Sequence, residues 1–282
     1  MSFRRRMRQL PKRLLRRSPS ERNAGLRVDS PAQYEPQLQT TQYTVDDWVP
    51  RDALFWEWPS WKDALMFDFA SPDWLQSVEL LADGIYRVPI FNPGFLHRFA
   101  DEIERLERWS QEHQVSLQPP NSMHDYGIEM RLIGVDRVLQ QFTTDVADRV
   151  VLELFPEVRD GGVDHHHAFS VTYGESHNRS LGFHADDSEV TFNFCLGGEF
   201  IGSDLYFQGR RCFNHMQTDH RPKEHVEIEQ IPGTCIVHAG LHRHGVLPIL
   251  QGSRRSLIVW TKSSKFRARE GRSECGEWCG YD

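Results

Sequence analysis

A histidine and an aspartate separated by one residue, His184-Ala185-Asp186, stand at the head of the strand-like run "SLGFHADDSEVTFNF". On an extended chain, side chains two apart share a face, so one imidazole and one carboxylate can meet the same ion while Ala185 points away. A third donor must come from a distant segment, and "HAGLHRHGVLPILQGSRRSLIVW" offers His238, His242 and His244. Two imidazoles and one carboxylate on one face of a metal leave coordination positions open, the arrangement that suits non-haem Fe(II). A closed zinc site calls instead for four Cys or His ligands, and no suitable Cys pair lies near His184. With fourteen histidines in the chain a chance His-x-Asp pair is plausible, and a polar patch where a loop enters a sheet remains the competing reading.

Ten residues past His244, "GSRRSLIVW" places Arg254 after a glycine turn, at the start of a new strand that would carry a guanidinium back toward the same interior. Arginine grips a carboxylate through two parallel charge-assisted hydrogen bonds, so it suits an organic acid bound beside the metal.

The elements that must position these groups lie mostly after "RDGGVD". There the segments are short, β-branched or aromatic, and separated by turn residues at intervals of roughly ten, which predicts an antiparallel sandwich or barrel. Candidate strands are "HAFSVTY", "EVTFNFCL", "SDLYFQ", "HVEIEQI", "TCIVHA", "HGVLPI" and "SLIVWTK". Upstream, Ser71-Pro72 predicts a helix over "DWLQSVELLAD" closed by Gly84, followed by a strand "IYRVPIF". Asn92-Pro93 starts a second helix on which Phe95, Leu96, Phe99, Ile103, Leu106 and Trp109 form one face, and Val138, Leu139, Phe142, Val146 and Val150 mark a third. The fold class expected is α+β, a jelly roll with N-terminal supporting helices. Its parts are a disordered basic segment at 1–45, a mainly helical support region at 46–160, the catalytic core at 161–264 and a tail at 265–282.

In that frame "HAD" at 184–186, then His244, then Arg254 resembles the catalytic core of the prolyl/lysyl hydroxylase branch of 2-oxoglutarate- and Fe(II)-dependent dioxygenases. A closer resemblance, from about Ile90 to Lys262, is to the animal family of 2-oxoglutarate and iron-dependent oxygenase domain-containing proteins, second member. It is carried by "PPNSMHDYGI", "HAFSVTY", "HADDSEVTFNFCLG", "LHRHG" and "SLIVW" in order and spacing.

The resemblance implies a double-stranded β-helix in which His184, Asp186 and His244 ligate Fe(II) and Arg254 grips the distal carboxylate of 2-oxoglutarate. Arg255 would face the other side of the strand, and His242 and His238 fit the distal position less well than His244. Tyr173, placed where related hydroxylases set a phenol against the co-substrate, is a candidate contact with a core tyrosine as its alternative. Thr191 or Asn193 is the candidate second polar contact to 2-oxoglutarate. The implied reaction consumes dioxygen and 2-oxoglutarate, releases succinate and CO2, hydroxylates a C–H bond and uses L-ascorbate to keep iron as Fe(II). A protein side chain of Lys or Pro type is the expected substrate, with a small molecule as alternative. A non-catalytic β-helix interaction module is the rival from another class.

Composition bounds the remainder. At 39% hydrophobic with eight Trp and seventeen Phe, the chain has the makings of an ordinary globular core. Nine Lys/Arg crowd Met1 to Arg22 against the single acid Glu21, which leaves 24 basic and 39 acidic residues in a body at −15. An acidic body argues against nucleic acid as its ligand, which only the basic arm could bind. The same arm fits a nuclear import patch, a solvated tail or an organellar transit peptide. No stretch reaches the ~18 consecutive apolar residues of a membrane span, and five cysteines without an apolar leader predict an intracellular, reducing location, cytoplasm or nucleus.

Other conspicuous residues read more simply as structure. The dense tryptophans after Trp48 read as packing, and His165-His166-His167 as a polar strand start, since neighbours on a strand alternate faces. His215, His220 and His225 fall in a polar loop between strands that could act as a lid. Cys275 and Cys279 offer half of a zinc site, with no second pair expected to join them.

Overall fold

The run after Asp186 shows how the sheets are built. In the computed structural model, which describes residues 43–49, 61–158, 161–269 and 275–281, Val190, Phe192 and Phe194 enter one hydrophobic cluster. Thr191 and Asn193 between them line a cleft on the opposite face. This two-residue period is that of a strand buried on both sides.

The strands are β1 Glu79–Ala82, β2 Ile85–Val88, β3 Gly127–Glu129, β4 His165–Gly174, β5 Leu181–His184 and β6 Val190–Gly197. They continue as β7 Phe200–Gly202, β8 Leu205–Arg210, β9 His225–Ile228, β10 Cys235–Ala239, β11 His242–Val246 and β12 Ile249–Lys262. The larger sheet runs β1-β2-β10-β6-β12-β4-β3, with β7 on the early part of β12, and the smaller runs β5-β11-β8-β9. Pairing is antiparallel throughout these strands. Phe169, Val171 and Ile258 of the larger sheet share a buried cluster with Leu205, Phe207 and Val246 of the smaller. That shared interior makes the pair of sheets a jelly roll, the double-stranded β-helix expected.

The outer face of the larger sheet is covered by helices. Asn92 caps α1, Pro93–Glu112, by accepting a hydrogen bond from Phe95 N at 2.8 Å. Phe95, Leu96, Phe99, Ile103 and Leu106 of α1 are all buried, and each contributes on the order of 1.5–3 kcal/mol of transfer free energy. The helix α2, Asp136–Phe142, passes through a π turn, Thr143–Ala147, into α3, Asp148–Leu154. Phe142 reaches Phe192 and Phe194 with ring centroids 5.3 and 5.9 Å apart. A short α4, Ser264–Arg269, follows β12.

The helix expected after Ser71-Pro72 is the main correction to the fold. Ser71 does accept from Asp73 N at 3.4 Å, but it opens only a 3₁₀ turn, Pro72–Ser77. The chain then extends into β1, turns at Gly84 with φ 66°, and returns as β2. β2 pairs with β10, and that distant partner overrides the local helix-start signal. The support region thus also supplies β1, β2 and β3 to the sheet.

Trp48 is buried against Trp109, centroids 5.7 Å apart, with the Arg105 guanidinium 4.0 Å above its ring. The other residues of the tryptophan-rich run from 50 to 60, and the basic arm to residue 42, lie outside the described residues.

Candidate active site

β5 and β11 lie side by side with His184 directly opposite His244, and their imidazole centroids are 4.3 Å apart. Asp186 sits beyond the end of β5 rather than on it, so the pair is not simply two residues of one strand face. A backbone clasp brings the carboxylate back: Asp186 N donates to Gly240 O and Gly240 N donates to Glu189 O, both at 2.9 Å. A Cβ on residue 240 would stand 2.0 Å from Ser188 O, so only glycine lets the two segments approach this closely.

Asp186 then lies 3.3 Å from His184 Nε2 and 3.7 Å from His244 Nε2. Donor atoms of the three residues fall within 4.8 Å of one another. Both imidazoles are oriented by backbone carbonyls. His184 Nδ1 faces Gly182 O at 2.8 Å, and His244 Nδ1 faces His242 O at 2.9 Å. A carbonyl can only accept, so each ring donates from Nδ1–H and turns Nε2, the nitrogen left for a metal, toward Asp186.

The three groups titrate as a coupled, buried set. Burial opposes ionisation of Asp186, yet the imidazoles of His244 and His184 hold its carboxyl well below the usual carboxylate range. Burial pulls His244 down to about 3 against the attraction of Asp186. For His184 the desolvation is outweighed by its hydrogen bond to Asp186, and its pKa is raised. A buried anion with two imidazole nitrogens turned toward it is an environment complementary to a divalent cation.

Three of the remaining expected residues line this cleft. Thr191 Oγ1 donates to Asp186 Oδ2 at 2.6 Å, so its hydroxyl braces the carboxylate. Asn193, one pleat further along β6, has its Oδ1 buried without a hydrogen-bond partner. Tyr173 on β4 lies under the guanidinium of Arg254, 4.7 Å from carbon to ring centroid. Burial pushes the Tyr173 phenol up to about 12, against the lowering influence of Arg254.

Arg254 stands opposite Tyr173 in the β12–β4 register and is 1% exposed. Its Nε donates to Ser203 Oγ at 3.0 Å and its Nη1 to Ser256 Oγ at 2.5 Å, while Nη2 is buried without a partner. A buried guanidinium N–H that lacks an acceptor is costly, and an incoming carboxylate supplies one. Arg255 points the other way, to Glu107 on α1 at 2.6 Å.

Two groups were not anticipated from the residues alone, and a third, His238, was offered there only as a weaker distal ligand. Ser203 holds φ 62°, rare for a non-glycine residue, and presents its hydroxyl to Arg254 from that conformation. His124 Nε2 meets Tyr173 Oη at 3.3 Å, and burial lowers its pKa to about 4. His238, on β10, places Nε2 4.0 Å from Asp186 Oδ2 with no hydrogen-bond partner. Of these, only His238 carried a signal in the sequence, its inward parity with Ile236 on β10.

His242 is buried against Phe207, centroids 5.0 Å apart, and lines a different pocket from His244. His166 on β4 is taken up by Thr143 at 3.1 Å, and His167 by Trp260, centroids 5.7 Å apart. The expectation that the Cys275/Cys279 pair has no second pair is overturned. Cys212 and His215, from the segment after β8, converge on it. Cys212-x2-His215 and Cys275-x3-Cys279 each have ligand-type spacing, but the fold alone brings the two remote segments together.

Comparison with known proteins adds a second line of observation. Residues 66–160 match the OGFOD2-like domain family model. The chain is 36% identical over 212 residues to the Arabidopsis thaliana 2-oxoglutarate and iron-dependent oxygenase domain-containing protein ICU11, covering 75% of this chain and 53% of that one. To the Arabidopsis thaliana protein CP2 of the same description it is 31% identical over 265 residues, covering 94% of this chain and 65% of the other. To the Xenopus tropicalis 2-oxoglutarate and iron-dependent oxygenase domain-containing protein 2 it is 34% identical over 196 residues, covering 69% and 52%. The chain therefore spans between half and two thirds of the length of these curated relatives. With the jelly roll and the donor triad, these matches make the chain similar, over most of its length, to the 2-oxoglutarate and iron-dependent oxygenase domain-containing proteins.

Proposed function

We propose that the chain is an Fe(II)- and 2-oxoglutarate-dependent dioxygenase that hydroxylates a protein side chain of lysyl or prolyl type, releasing succinate and CO2. The observation that carries this reading is the joint state of the two halves of the site. Nε2 of His184 and Nε2 of His244 converge with a buried carboxylate, and Arg254 holds an unpaired N–H on the same interior. The donor set of two His and one carboxylate fits Fe(II), and the orphaned guanidinium nitrogen fits the far carboxylate of 2-oxoglutarate.

When bound, iron and 2-oxoglutarate would supply the activation of dioxygen and the breaking of the substrate C–H bond. The protein's part is to bind, orient and keep dry. His184, Asp186 and His244 would hold the metal from one side, leaving the other open to 2-oxoglutarate, dioxygen and substrate. Thr191, by donating to Asp186 Oδ2, fixes the carboxylate rotamer. Arg254 would hold the far carboxylate of the co-substrate, with the Tyr173 ring beneath its guanidinium. Asn193 is the remaining polar group on β6 free to meet it. Leu205, Val246 and Ile258 line the cleft and exclude water from the reacting centre. L-ascorbate would serve to return oxidised iron to Fe(II) between turnovers.

Anaerobic titration of the purified chain with Fe(II) and 2-oxoglutarate should produce a weak visible charge-transfer band. A folded chain that gives none overturns the proposal. Succinate formation scored against peptide and small-molecule panels then tests the substrate class.

A further inference from the structure

Outside the candidate active site, one other group of donors converges. Cys212 follows β8, His215 ends a 3₁₀ turn three residues later, and Cys275 and Cys279 come from the tail, where Cys279 closes the 3₁₀ turn Glu277–Cys279. His215 Nδ1 lies 3.3 Å from Cys212 Sγ, 3.5 Å from Cys275 Sγ and 3.5 Å from Cys279 Sγ. All four donor atoms fall within 4.8 Å of one another. In tetrahedral zinc with Zn–S of about 2.3 Å and Zn–N of about 2.0–2.1 Å, each S···N edge is about 3.6 Å. The three observed edges are within a few tenths of that value, so the imidazole nitrogen already occupies one corner of a tetrahedron whose other corners are sulfurs.

We propose that Cys212, His215, Cys275 and Cys279 form a structural zinc site that fastens the tail to the segment following β8. The donor set is the soft, closed Cys3His type that selects zinc, in contrast to the open His2Asp triad. A disulfide accounts for the geometry less well, because it would join two sulfurs and give neither the third thiol nor His215 a reason to meet them. The surroundings also suit thiolates: Cys212 N donates to Cys279 Sγ at 3.3 Å, a backbone hydrogen bond of the kind that orients a metal-bound sulfur. The His215 ring is held from its face by Tyr281, centroids 4.0 Å apart and planes at 22°.

Buried Arg211 ties the same two segments together. It donates to Cys279 O at 3.3 Å and to both carboxylate oxygens of Glu224, at 3.0 and 2.8 Å. The segment fastened in this way also supports the active site. Arg243, between His242 and His244 on β11, donates to Thr218 O at 2.5 Å and Met216 O at 3.2 Å, three residues and one residue past the ligand His215. The loop read from sequence as a possible lid is therefore a strut behind β11.

The test is metal analysis of the full chain, purified under reducing conditions and in a background that removes the other donor set, His184→Ala with Asp186→Ala. One zinc per chain is expected there, and none after Cys212→Ser and Cys279→Ser are added. If the serine variants do not fold, cobalt(II) exchanged into the parent background decides the matter. Intense visible bands of tetrahedral cobalt with thiolate charge transfer support the site, and the weak spectrum of an oxygen- and nitrogen-ligated ion overturns it. Substoichiometric zinc in the folded, reduced parent, zinc that survives loss of both cysteines, or a mass deficit of two hydrogens marking a Cys–Cys bond would each overturn it as well.

Discussion

The two donor clusters of this chain differ in what their atoms leave open. At the barrel interior, one carboxylate and two imidazoles would hold a metal from a single side, and the unpaired Arg254 nitrogen leaves room for a partner not made of protein. At the tail, three sulfurs and one imidazole point at a common centre, which a metal ion would close on all sides. The difference lies in how the backbone delivers the donors. The triad is set by a strand register and a glycine clasp, which fix geometry while leaving one side free. The Cys/His cluster joins two segments also bridged by Arg211 and by Arg210 over Trp278, so its metal would be part of the tertiary structure. An open site serves turnover, and a closed one serves folding.

The sharpest way to break that contrast is to remove the charge from the open site. Asp186→Ala takes away the anion that the buried imidazoles face, and should lower 2-oxoglutarate-dependent succinate formation by more than the roughly 10–100-fold cost of losing an outer-sphere partner. Zinc content should not change. A variant that still makes succinate at the parent rate would show that the triad is not the reacting centre.

Arg254 and Arg255 offer a comparison within two residues. Arg254→Met removes a buried, desolvated partner for a carboxylate, a change worth about 2–5 kcal/mol. The KM for 2-oxoglutarate should rise at least about thirtyfold. Arg255→Met instead removes the ion pair to Glu107 on α1 and should lower the melting temperature while leaving that KM near the parent value. Equal effects of the two on KM would remove the assignment of Arg254.

On the closed side, Cys279→Ser should cost stability rather than co-substrate binding. With a native cross-link of about 2–4 kcal/mol as a guide, the melting temperature should fall by roughly 5–10 °C. The Fe(II)/2-oxoglutarate charge-transfer titration should stay close to that of the parent. Thr191→Val is expected to act more mildly and only on the open site. It deletes the hydroxyl that donates to Asp186 at 2.6 Å, and Fe(II) binding read from the same titration should weaken by about tenfold.

The same contrast explains what could be read along the chain. Alternation in Val190–Cys195 and Arg254–Trp260 is a local property, and it led to the strands, their two faces and the inward direction of Arg254. Where the deciding partner is remote, local signals misled or were silent. Ser71-Pro72 opens a 3₁₀ turn as readily as a helix, and the choice rests on the pairing of β2 with β10, far along the chain. His124 has a role only because Tyr173 lies across from it. Cys212 and Cys279 are 67 residues apart, beyond any ligand-spacing pattern, so the tail pair looked incomplete.

The smallest predicted effect tests the finest point, the direction of adjacent acids. Asp186 is buried with its carboxylate among imidazoles, whereas the next side chain, Asp187, is 55% exposed and pairs with Lys262 at 2.7 Å and Arg267 at 3.2 Å. Exposed pairs of this kind are worth about 0–1 kcal/mol, and Arg267 keeps its bond to Glu189 at 2.8 Å when Asp187 is gone. Asp187→Ala should therefore leave succinate formation and Fe(II) affinity at the parent level and shift the melting temperature by no more than about 4 °C. Because Lys262 ends β12 and Arg267 lies on α4, whatever loss occurs should appear as fraying at that junction, measurable as faster amide exchange there. A fall in iron affinity instead would mean that the two acids share the metal, and that the turn after β5 does not separate them as the clasp at Gly240 implies.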